Sequence, residues 1–575
     1  MSFASLCKRS FGLTLTVLLL SFLLIGCQNA APDHSSAMVS AKGVKLESFM
    51  PSDSLALVAL GTDDAQQKEM LGKLWSNFPQ DQAKQFIDSL FTELNKSLQE
   101  QGYSFEKDVW PIIANDQRMM LSVSGEMTKE KMPNLIVAIP LSAVDKAQTL
   151  LDNEATKGTY EKQTYKDATI YVQKGSNTFI TMQNDVLLLS NSMATLQQSL
   201  DNQNGNNLLA NAEYEKNVQG IPKNVMFFYM DVQQYLKKAI ALAQESGATQ
   251  VQIDDETMNK FFNSESGVAI AEADGIRLKG NIFSNSKDNF LKDVYKGGDL
   301  SAKVPGKNVA LFASGNSMIS IINLEATLYK NMEGFSDVGK NIRSFFSMQG
   351  LDVDTDIVPF MDKSYAFVIG KSNGLMPWAG LYMDVSSQPA GAKKFMSFVF
   401  RGLDSFVTQG KEDSGLANVI EHKKLESTDG GEWYQLLAKL DQVPDFQKAP
   451  GNEVIDEPMS LKYGVNKENM ASMVLAPDSV LNSTDHLDKD QLFQQMKGKL
   501  SGIDGGVTYL NVSLVNDYLH QLVDFGAKNG NTSQDDVDEF NMVMGYVQPV
   551  KAMIFSAKLV SDMQVQSEGF ILIQK

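Results

Sequence analysis

Short apolar runs and stretches with helical spacing succeed each other along the chain. The apolar run from Leu55 to Leu60 comes shortly after Pro51, which is typical of a buried strand. Apolar residues then recur every three or four positions between Asp81 and Gly102, which predicts an amphipathic helix with Asp81 as its N-cap and Gly102 at its end. The pattern therefore predicts strands that alternate with helices.

The same succession of elements occurs again in the second half of the chain. One matched pair consists of "KMPNLIVAIPL" and "LMPWAGLYMDV", in which Met132-Pro133 takes the place of Met376-Pro377. Seven segments match in one order, beginning at residues 51, 102, 118, 132, 167, 224 and 267 in the first half and at residues 305, 350, 364, 376, 431, 506 and 552 in the second. This shared order predicts an internal duplication with a boundary near residue 300.

The order of the elements also predicts the fold class. Helices placed between sequential, hairpin-like strands favour an α+β fold with two tandem pseudo-repeats, each a largely antiparallel sheet with packed helices. The first repeat would comprise residues 47–300 and the second residues 301–575. One alternative stays open, a single intertwined domain in which strands of both halves share a sheet.

The N-terminus carries the pattern of an export signal. Lys8 and Arg9 precede an apolar run from Phe11 to Ile25 that is shorter than the ~20 apolar residues of a membrane-spanning helix. It closes on "LLIGC", which resembles the lipobox of bacterial lipoproteins, where Leu, a small or aliphatic residue, and Gly or Ala precede a Cys. The resemblance implies a signal peptide over residues 1–26 and lipidation of Cys27 with acyl chains such as palmitate. An uncleaved anchor helix is the alternative.

The lipobox resemblance also predicts where the protein resides. Residues 27–46 would be the lipidated cysteine and a flexible tether, because they are small and polar. The protein would be exported and bound to a membrane outside the cytoplasm, and two or more acyl chains would hold it stably. Gln28 stands where an Asp would, by the same resemblance, favour the inner membrane, so the outer membrane is expected in a Gram-negative host.

Composition limits the possible chemistry. The chain has 575 residues and 43% hydrophobic residues, enough for more than one core. Its net charge of −18 excludes nucleic acid as an expected partner, because a polyanion would be repelled. Cys7 would be lost with the signal and Cys27 lipidated, so the folded body would contain no disulfide, thiolate nucleophile or cysteine-bound metal.

Two features resemble a known family. One is Pro51-Ser52-Asp53 followed by an apolar strand, and the other is the turn "EKDVWP" from Glu106 to Pro111. The chain resembles a family of exported bacterial proteins, often lipoproteins, that is known only as a domain of unknown function. The resemblance implies a compartment and a fold, and it implies no activity or catalytic residue.

Several motifs of catalytic or metal-binding proteins occur in an unsuitable context. Ser372 in "GKSNG" matches the nucleophile elbow of hydrolases, but a strand is expected to follow it instead of a helix. In "GFSDVGKN", Asn341 stands where a P-loop needs Ser or Thr. The triplet Asp352, Asp354 and Asp356 resembles the start of a calcium loop, yet it lacks the glycine and glutamate of that loop.

Two other catalytic signals are equally weak. Ser104 and Lys107 form an S-x-x-K without the partner motifs of penicillin-recognising enzymes. Outside the tether, His422, His486 and His520 are the only histidines, and all lie in the second half. His486 is expected to be solvated or to cap a helix.

The sequence favours a membrane-anchored lipoprotein of the cell envelope that binds or scaffolds and is not an enzyme. We expect no catalytic residue, cofactor or metal site, and lipidation at Cys27 is the one expected modification. The possible partners are an envelope protein or an apolar ligand, besides the membrane that holds the anchor. The alternatives are an exported hydrolase that uses two carboxylates and a carrier of an apolar ligand.

Overall fold

In a computed structural model of the chain, residues 45–79, 103–113, 117–125, 133–245, 255–289, 295, 297–320, 335–414, 420–426, 430–439, 458–502 and 505–575 are described. These residues confirm the predicted α+β class, with helices placed among antiparallel strands. They fall into two compact units. Unit 1 holds the described residues up to 245 together with 262–283 and 574–575, and unit 2 holds those from 255–261 and 284–573.

The described part of unit 1 contains ten strands. They are β1 (Ala56–Leu60), β2 (Met119–Ser124), β3 (Asn134–Pro140), β4 (Tyr160–Tyr165), β5 (Ala168–Gln173), β6 (Phe179–Gln183), β7 (Val186–Ser190), β8 (Met226–Asp231), β9 (Ser264–Glu272) and β10 (Gly275–Phe283). Every neighbouring pair is antiparallel, and the order across the sheet is β10-β9-β8-β1-β2-β3-β7-β6-β5-β4.

Five helices belong to this sheet. They are α1 (Ala65–Trp75), α2 (Val144–Lys157), α3 (Met193–Asp201), α4 (Ala212–Val218) and α5 (Val232–Glu245). Local sequence explains where they begin, because Asp64 accepts a hydrogen bond from the Gln67 backbone and Ser192 accepts one from that of Thr195. The core lies between helix α3 and one face of the sheet, where Leu188 and Leu196 are fully buried.

The described part of unit 2 also contains ten strands. They are β11 (Val309–Asn316), β12 (Ser364–Gly370), β13 (Trp378–Asp384), β14 (Ile420–Leu425), β15 (Glu432–Ala438), β16 (Met459–Val465), β17 (Met470–Pro477), β18 (Val507–Asn511), β19 (Val550–Ser561) and β20 (Gln564–Ile573). Their antiparallel order is β20-β19-β18-β11-β12-β13-β17-β16-β15-β14.

The helices of unit 2 differ more in length than those of unit 1. They are α6 (Asp255–Lys260), α7 (Phe335–Met348), α8 (Val358–Met361), α9 (Pro389–Ser414), α10 (Asp478–Leu481), α11 (Gln491–Lys497), α12 (Val512–Lys528) and α13 (Gln534–Val547). Helix α9 packs on one face of the sheet, with Met396 and Tyr463 in a shared apolar cluster. Val480 of α10 and Phe493 of α11 are buried in a second cluster.

The two sheets have the same order of strands. Each strand of unit 1 occupies the position of the strand numbered ten higher in unit 2, and all pairs in both sheets are antiparallel. Each described strand in a matched segment of the first half has the same place in the strand order of unit 1 as its matched strand has in the order of unit 2. The duplication and its boundary stay a prediction, which the shared order supports.

The segment before β12 is organised like the segment before β2. Gly350 has a φ of 77° and follows the end of α7. The Asp108 carboxylate accepts a hydrogen bond from the Ser104 backbone at 2.7 Å, and the Asp356 carboxylate accepts one from the Asp352 backbone at 3.1 Å. Each bond closes a short π-helical turn. The predicted helix between Asp81 and Gly102 lies outside the described residues.

Candidate functional site

One face of the sheet of unit 2 carries a cavity of about 520 Å³, which we call the unit 2 pocket. Its floor consists of side chains from β13, β15, β16 and β17, and its rim of the β16–β17 turn, the segment before β11 and the loop after α10. This volume lies in the range of about 300–1,000 Å³ that is usual for small-molecule sites.

The floor is a row of residues that face each other across four strands. Tyr382 on β13 lies opposite Ser472 on β17, Ser472 lies opposite Gly464 on β16, and Gly464 lies opposite Trp433 on β15. Residues directly opposite in antiparallel strands have side chains on the same face, so this row shares the face of the pocket. Because Gly464 has no side chain, the Trp433 ring can lie over it; a Cβ atom at position 464 would lie 2.8 Å from Cε3 of Trp433.

Gly380 shapes the same floor. A Cβ atom at position 380 would lie 2.9 Å from Cε2 of Tyr382, closer than such atoms approach in proteins. The Tyr382 ring therefore lies along the strand over the place that a side chain at 380 would take. Glycine at this position allows a bulky aromatic side chain to lie flat on the sheet.

Unit 1 fills the same face of its sheet. Ala138 on β3 lies opposite Leu188 on β7, and Leu188 lies opposite Thr181 on β6. In the shared strand order, these three residues correspond to Tyr382, Ser472 and Gly464 of unit 2, respectively. All three unit 1 residues are fully buried. Leu196 of helix α3 belongs to the same buried cluster as Ala138 and Leu188.

The helix that follows the second strand of this row explains the difference. In unit 1, β7 leads into α3, Met193–Asp201, which has nine residues. In unit 2, β17 leads into α10, Asp478–Leu481, which has four residues. The shorter helix ends at Leu481, at the edge of the pocket, and leaves the floor open.

The turn between β16 and β17 has a fixed conformation. The side chain of Asn466 accepts hydrogen bonds from the backbone N–H groups of Glu468 and Met470, and Asn469 adopts a φ of 58°. The Lys303 ammonium group donates to the Glu468 carboxylate at 2.8 Å. This ion pair lowers the pKa of Glu468 from its usual value. It links the turn to the segment before β11.

The pocket lining is basic, although the chain as a whole is acidic. Lys303, Lys462 and Lys467 against Glu468 give a net charge of +2 with His486 neutral, in a chain of net charge −18. Within the described residues, neither Lys462 nor Lys467 has a carboxylate at ion-pair distance. The Lys462 ammonium group lies 5.2 Å from the centre of the Trp433 ring, a cation–π contact.

Two hydroxyl groups of the floor have no hydrogen-bond partner among the described residues. Tyr382 and Ser472 are each only 8% exposed, and both line the pocket. Burial raises the pKa of Tyr382, so its hydroxyl is a neutral donor at ordinary pH. Neither oxygen is among the fully buried polar atoms without a partner, so both hydroxyl groups are accessible from the cavity and are suited to an acceptor there.

On the opposite face of β16, His422 links two side chains. Its Nε2 atom lies 2.9 Å from the Tyr463 hydroxyl, and its Nδ1 atom lies 3.2 Å from the Asp404 carboxylate. Tyr463 is fully buried, so no substrate reaches its hydroxyl. This arrangement resembles a catalytic triad in composition, but its geometry is that of a core histidine with both nitrogens in contact.

The other two histidines of the described residues have no catalytic geometry. His520 makes an edge contact with the Phe540 ring, with the ring centres 5.0 Å apart. His486 is exposed and precedes the short helix Leu487–Lys489 at the N-cap position, where its side chain makes no capping bond. The solvated position predicted for it is confirmed, and it lines the pocket.

The three aspartates of "DVDTD" have different bonding partners. The Asp352 carboxylate accepts from the backbone of Asp354 and of Thr355. Asp354 forms an ion pair with Arg343, and Asp356 forms one with Lys394, each at 3.1 Å. Within the described residues, no group of three His, Cys, Asp or Glu side chains is placed to hold a metal ion.

The remaining motifs are structural. Ser372 lies in the hairpin loop between β12 and β13, as predicted, and its hydroxyl donates to the Met376 backbone at 2.6 Å. Asn341 of the P-loop-like segment lies within helix α7. Lys107 donates its backbone N–H to the Ser104 hydroxyl, so the S-x-x-K pair is part of a turn.

Among the described residues, the carboxylates with raised pKa lie in unit 1. Burial is the main cause for Glu47, Asp231 and Glu265, and Glu213 adds to the increase for Asp231. None of them lines the unit 2 pocket, whose lining has one carboxylate, Glu468. Glycoside hydrolysis of the usual kind needs two facing carboxyl groups, so the pocket is unsuited to it.

Sequence reasoning did not identify the pocket. Strands β16 and β17 were not predicted, although "MASMVLAP" of β17 is a nearly continuous apolar run, which is typical of a buried strand. Comparison of the matched segments offers a signal, because Tyr382 stands where Ala138 stands, five residues after the shared Pro. Cys27 and the rest of residues 1–44 lie outside the described part, so the lipid anchor stays a prediction. Among the described helices, none has the length and apolar character that crossing a membrane requires.

The two units define an α+β protein with a repeated strand order and a pocket on one of its two sheets. Within this class, the chain belongs to the family described as "Protein of unknown function (DUF3352)", which matches residues 13–533. The resemblance to a domain of unknown function is thereby confirmed.

No curated protein sequence matches the chain. Among solved structures, crystal form III of TP0453 is 9% identical, with 43% of this chain and 83% of that chain covered and a TM-score of 0.24. Crystal form I of TP0453 is also 9% identical, with 43% and 82% covered and a TM-score of 0.23. Similarity at this level carries no argument about function.

Proposed function

We propose that this chain is a lipid-anchored protein of the cell envelope that acts by binding a small molecule, and that the unit 2 pocket is its binding site. The observation that carries this proposal is the contrast between the two sheets. The same face is filled by Leu188 and Leu196 in unit 1 and forms a cavity of about 520 Å³ in unit 2. The cavity also places aromatic and apolar side chains of the floor next to charged and polar groups, which could hold a ligand with both kinds of surface.

Binding explains the lining better than catalysis does. The pocket contains one carboxylate, which is held by Lys303, and one histidine, which is exposed and has no orienting carboxylate among its described partners. An activated nucleophile or general base needs a second group that positions it. A carrier of apolar ligands, which the sequence left open as an alternative, is compatible with this proposal if the ligand is small enough for the unit 2 pocket.

The anchor part of the proposal supplies the location. Lipidation at Cys27 would hold the pocket outside the cytoplasm, where residues 27–46 serve as a tether. Labelled palmitate should be incorporated into the full chain and lost in Cys27→Ser. Cys7→Ser is the matched control, because this cysteine lies within the predicted signal and its replacement should leave the label in place. Equal labelling of both variants would refute the anchor.

The binding part has its own experiment. Ser472→Leu places in unit 2 the side chain that unit 1 carries at Leu188 and should fill the floor of the pocket. Small molecules that co-purify with the full chain should be identified by mass spectrometry, and they should be depleted in Ser472→Leu. An unchanged set of bound molecules in a variant with an unchanged circular dichroism spectrum would contradict binding in this pocket.

A further inference from the structure

We propose that the unit 2 pocket takes an organic anion, a molecule with an apolar body and one acidic oxygen group such as a carboxylate, sulfonate or phosphate. This inference rests on the proposed binding function and specifies the ligand. Three independent features of the pocket carry it: the excess of positive charge, the two donors without partners and the aromatic floor.

The first feature is the charge. Lys462 lies on β16, Lys467 lies in the β16–β17 turn, and Lys303 reaches this turn from the segment before β11. Only Glu468 opposes them in the lining, and it is paired with Lys303. An anion in the pocket would therefore meet two ammonium groups that no described carboxylate holds in an ion pair, which strengthens its attraction in a partly enclosed site.

The second feature is the pair of hydroxyl groups. Tyr382 and Ser472 occupy opposite positions on β13 and β17, the Tyr382 ring extends along β13 over Gly380, and each residue is more than nine-tenths buried. Both hydroxyl groups can donate, and an acidic oxygen accepts several hydrogen bonds at once. A charged acceptor at this place would satisfy groups that have no partner among the described residues.

The third feature is the floor. Trp433, Tyr382, Met470 and Val474 supply apolar surface next to the charged groups. Lys462 already lies against the Trp433 ring, so its ammonium group is held at the boundary between the apolar and the polar part of the pocket. An inorganic ion would leave this surface unused, whereas an anion with an apolar body would cover it.

Two dyes allow the preference for an anion to be tested separately from binding in the pocket, on which that preference rests. Anilinonaphthalene sulfonate and phenylnaphthylamine share their rings and differ by the sulfonate. The protein should comprise residues 28–575, which retain every residue that the structure describes. Both dyes should bind, and Ser472→Leu should weaken both. If neither dye responds to Ser472→Leu, the pocket does not bind small molecules and the proposed function itself fails.

The lysines then test the anion alone. The double variant Lys462→Gln/Lys467→Gln should weaken binding of the sulfonate at least about tenfold, since each charge contributes roughly threefold or more. It should leave phenylnaphthylamine within about twofold of the wild-type value. Lys146→Gln on α2 is the matched control, because this exposed lysine lies in unit 1. Equal loss of both dyes, or loss of neither, in the double variant would overturn the anion proposal while pocket binding stands.

Competition distinguishes two sources of the natural anion. Displacement of the sulfonate dye by a short-chain phosphatidylglycerol would support the proposal and assign the anion to a lipid. Displacement by naphthalenesulfonate without displacement by the phosphatidylglycerol would support it and assign the anion to a soluble aromatic acid. Displacement by neither compound would overturn it.

Discussion

The Lys303 ammonium group lies 2.8 Å from a carboxylate oxygen of Glu468 at the rim of the unit 2 pocket. Because Glu468 is the one carboxylate of the lining, Glu468→Gln should strengthen binding of anilinonaphthalene sulfonate roughly threefold at neutral pH. Fluorescence titration measures this change. Phenylnaphthylamine, which has no charge, should bind both proteins alike.

The effect of Glu468 on dye binding should depend on pH, because only the charged carboxylate opposes the lysines. The ion pair with Lys303 lowers the pKa of Glu468, so the carboxylate stays charged until the pH falls through that lowered value. Its stabilising contribution is present above the usual pKa and is lost below the lowered one. The difference in dye affinity between wild type and Glu468→Gln should therefore vanish in acid, where Glu468 is neutral. A difference in affinity that persists there would contradict this role of Glu468.

Two tyrosines of the same sheet should respond differently to loss of the hydroxyl. Tyr382→Phe removes a hydroxyl without a described partner, so the free energy of unfolding should change by less than about 0.5 kcal/mol. Tyr463→Phe leaves His422 Nε2 without its partner at 2.9 Å and should cost about 1–2 kcal/mol. Urea denaturation measures both. Equal losses would show that the Tyr382 hydroxyl is bonded in solution.

Tyr382→Phe should also weaken the sulfonate dye. Loss of one donor to a charged group should reduce affinity roughly threefold to tenfold, because hydrogen bonds to charged groups are the stronger ones. Tyr463→Phe is the control, since its side chain lies on the opposite face of the sheet, among residues packed against α9. An affinity unchanged by Tyr382→Phe would remove this hydroxyl from the site.

Tyr171 in unit 1 predicts an alkaline transition. Burial and a hydrogen bond of its hydroxyl to the Asp152 carboxylate raise the pKa of Tyr171 to about 12. The unfolded chain loses this proton at a pH near 10, so the free energy of unfolding should fall as the pH rises from about 10 to about 12. The difference in tyrosinate absorbance between wild type and Tyr171→Phe isolates this group. In Asp152→Asn the transition should move to lower pH, and an unchanged transition would exclude the carboxylate as a cause.

The paired turns before β2 and β12 can be compared directly. Asp108→Ala removes an acceptor for the Ser104 backbone and should cost about 1 kcal/mol. Asp356→Ala should cost more, because the ion pair with Lys394 is lost together with the bond to the Asp352 backbone. Lys394→Ala is the matched control that removes the ion pair alone. If it cost as much as Asp356→Ala, the backbone bond would contribute nothing.

Hydrophobic patterning predicted the fold class and the strands of the matched segments. It missed β6 and β7, although Asn184 and Asp185 both have positive φ and form the kind of turn that joins hairpin strands. It also missed β16, where Tyr463 packs under α9 and the neighbouring Gly464 faces the pocket. A strand covered on both faces lacks the simple alternation of polar and apolar residues that marks an exposed one.

The unit 2 pocket could not be predicted from the sequence, because its residues are far apart along the chain. The pocket combines residues from the segment before β11, from β13 and from β15 to β17, and only the order of the strands brings them together. Spacing along the chain carries no information about that order. The side chains of the apparent motifs, such as Asp352 and Ser372, instead form hydrogen bonds with the backbone of turns.

The most direct measurement is a crystal structure of residues 28–575 with anilinonaphthalene sulfonate bound. We expect the rings of the dye over Trp433 and Met470, and the sulfonate within hydrogen-bond distance of the Tyr382 hydroxyl and of Lys462 or Lys467. A pocket filled by protein side chains, or a dye bound elsewhere while the pocket is empty, would contradict the account.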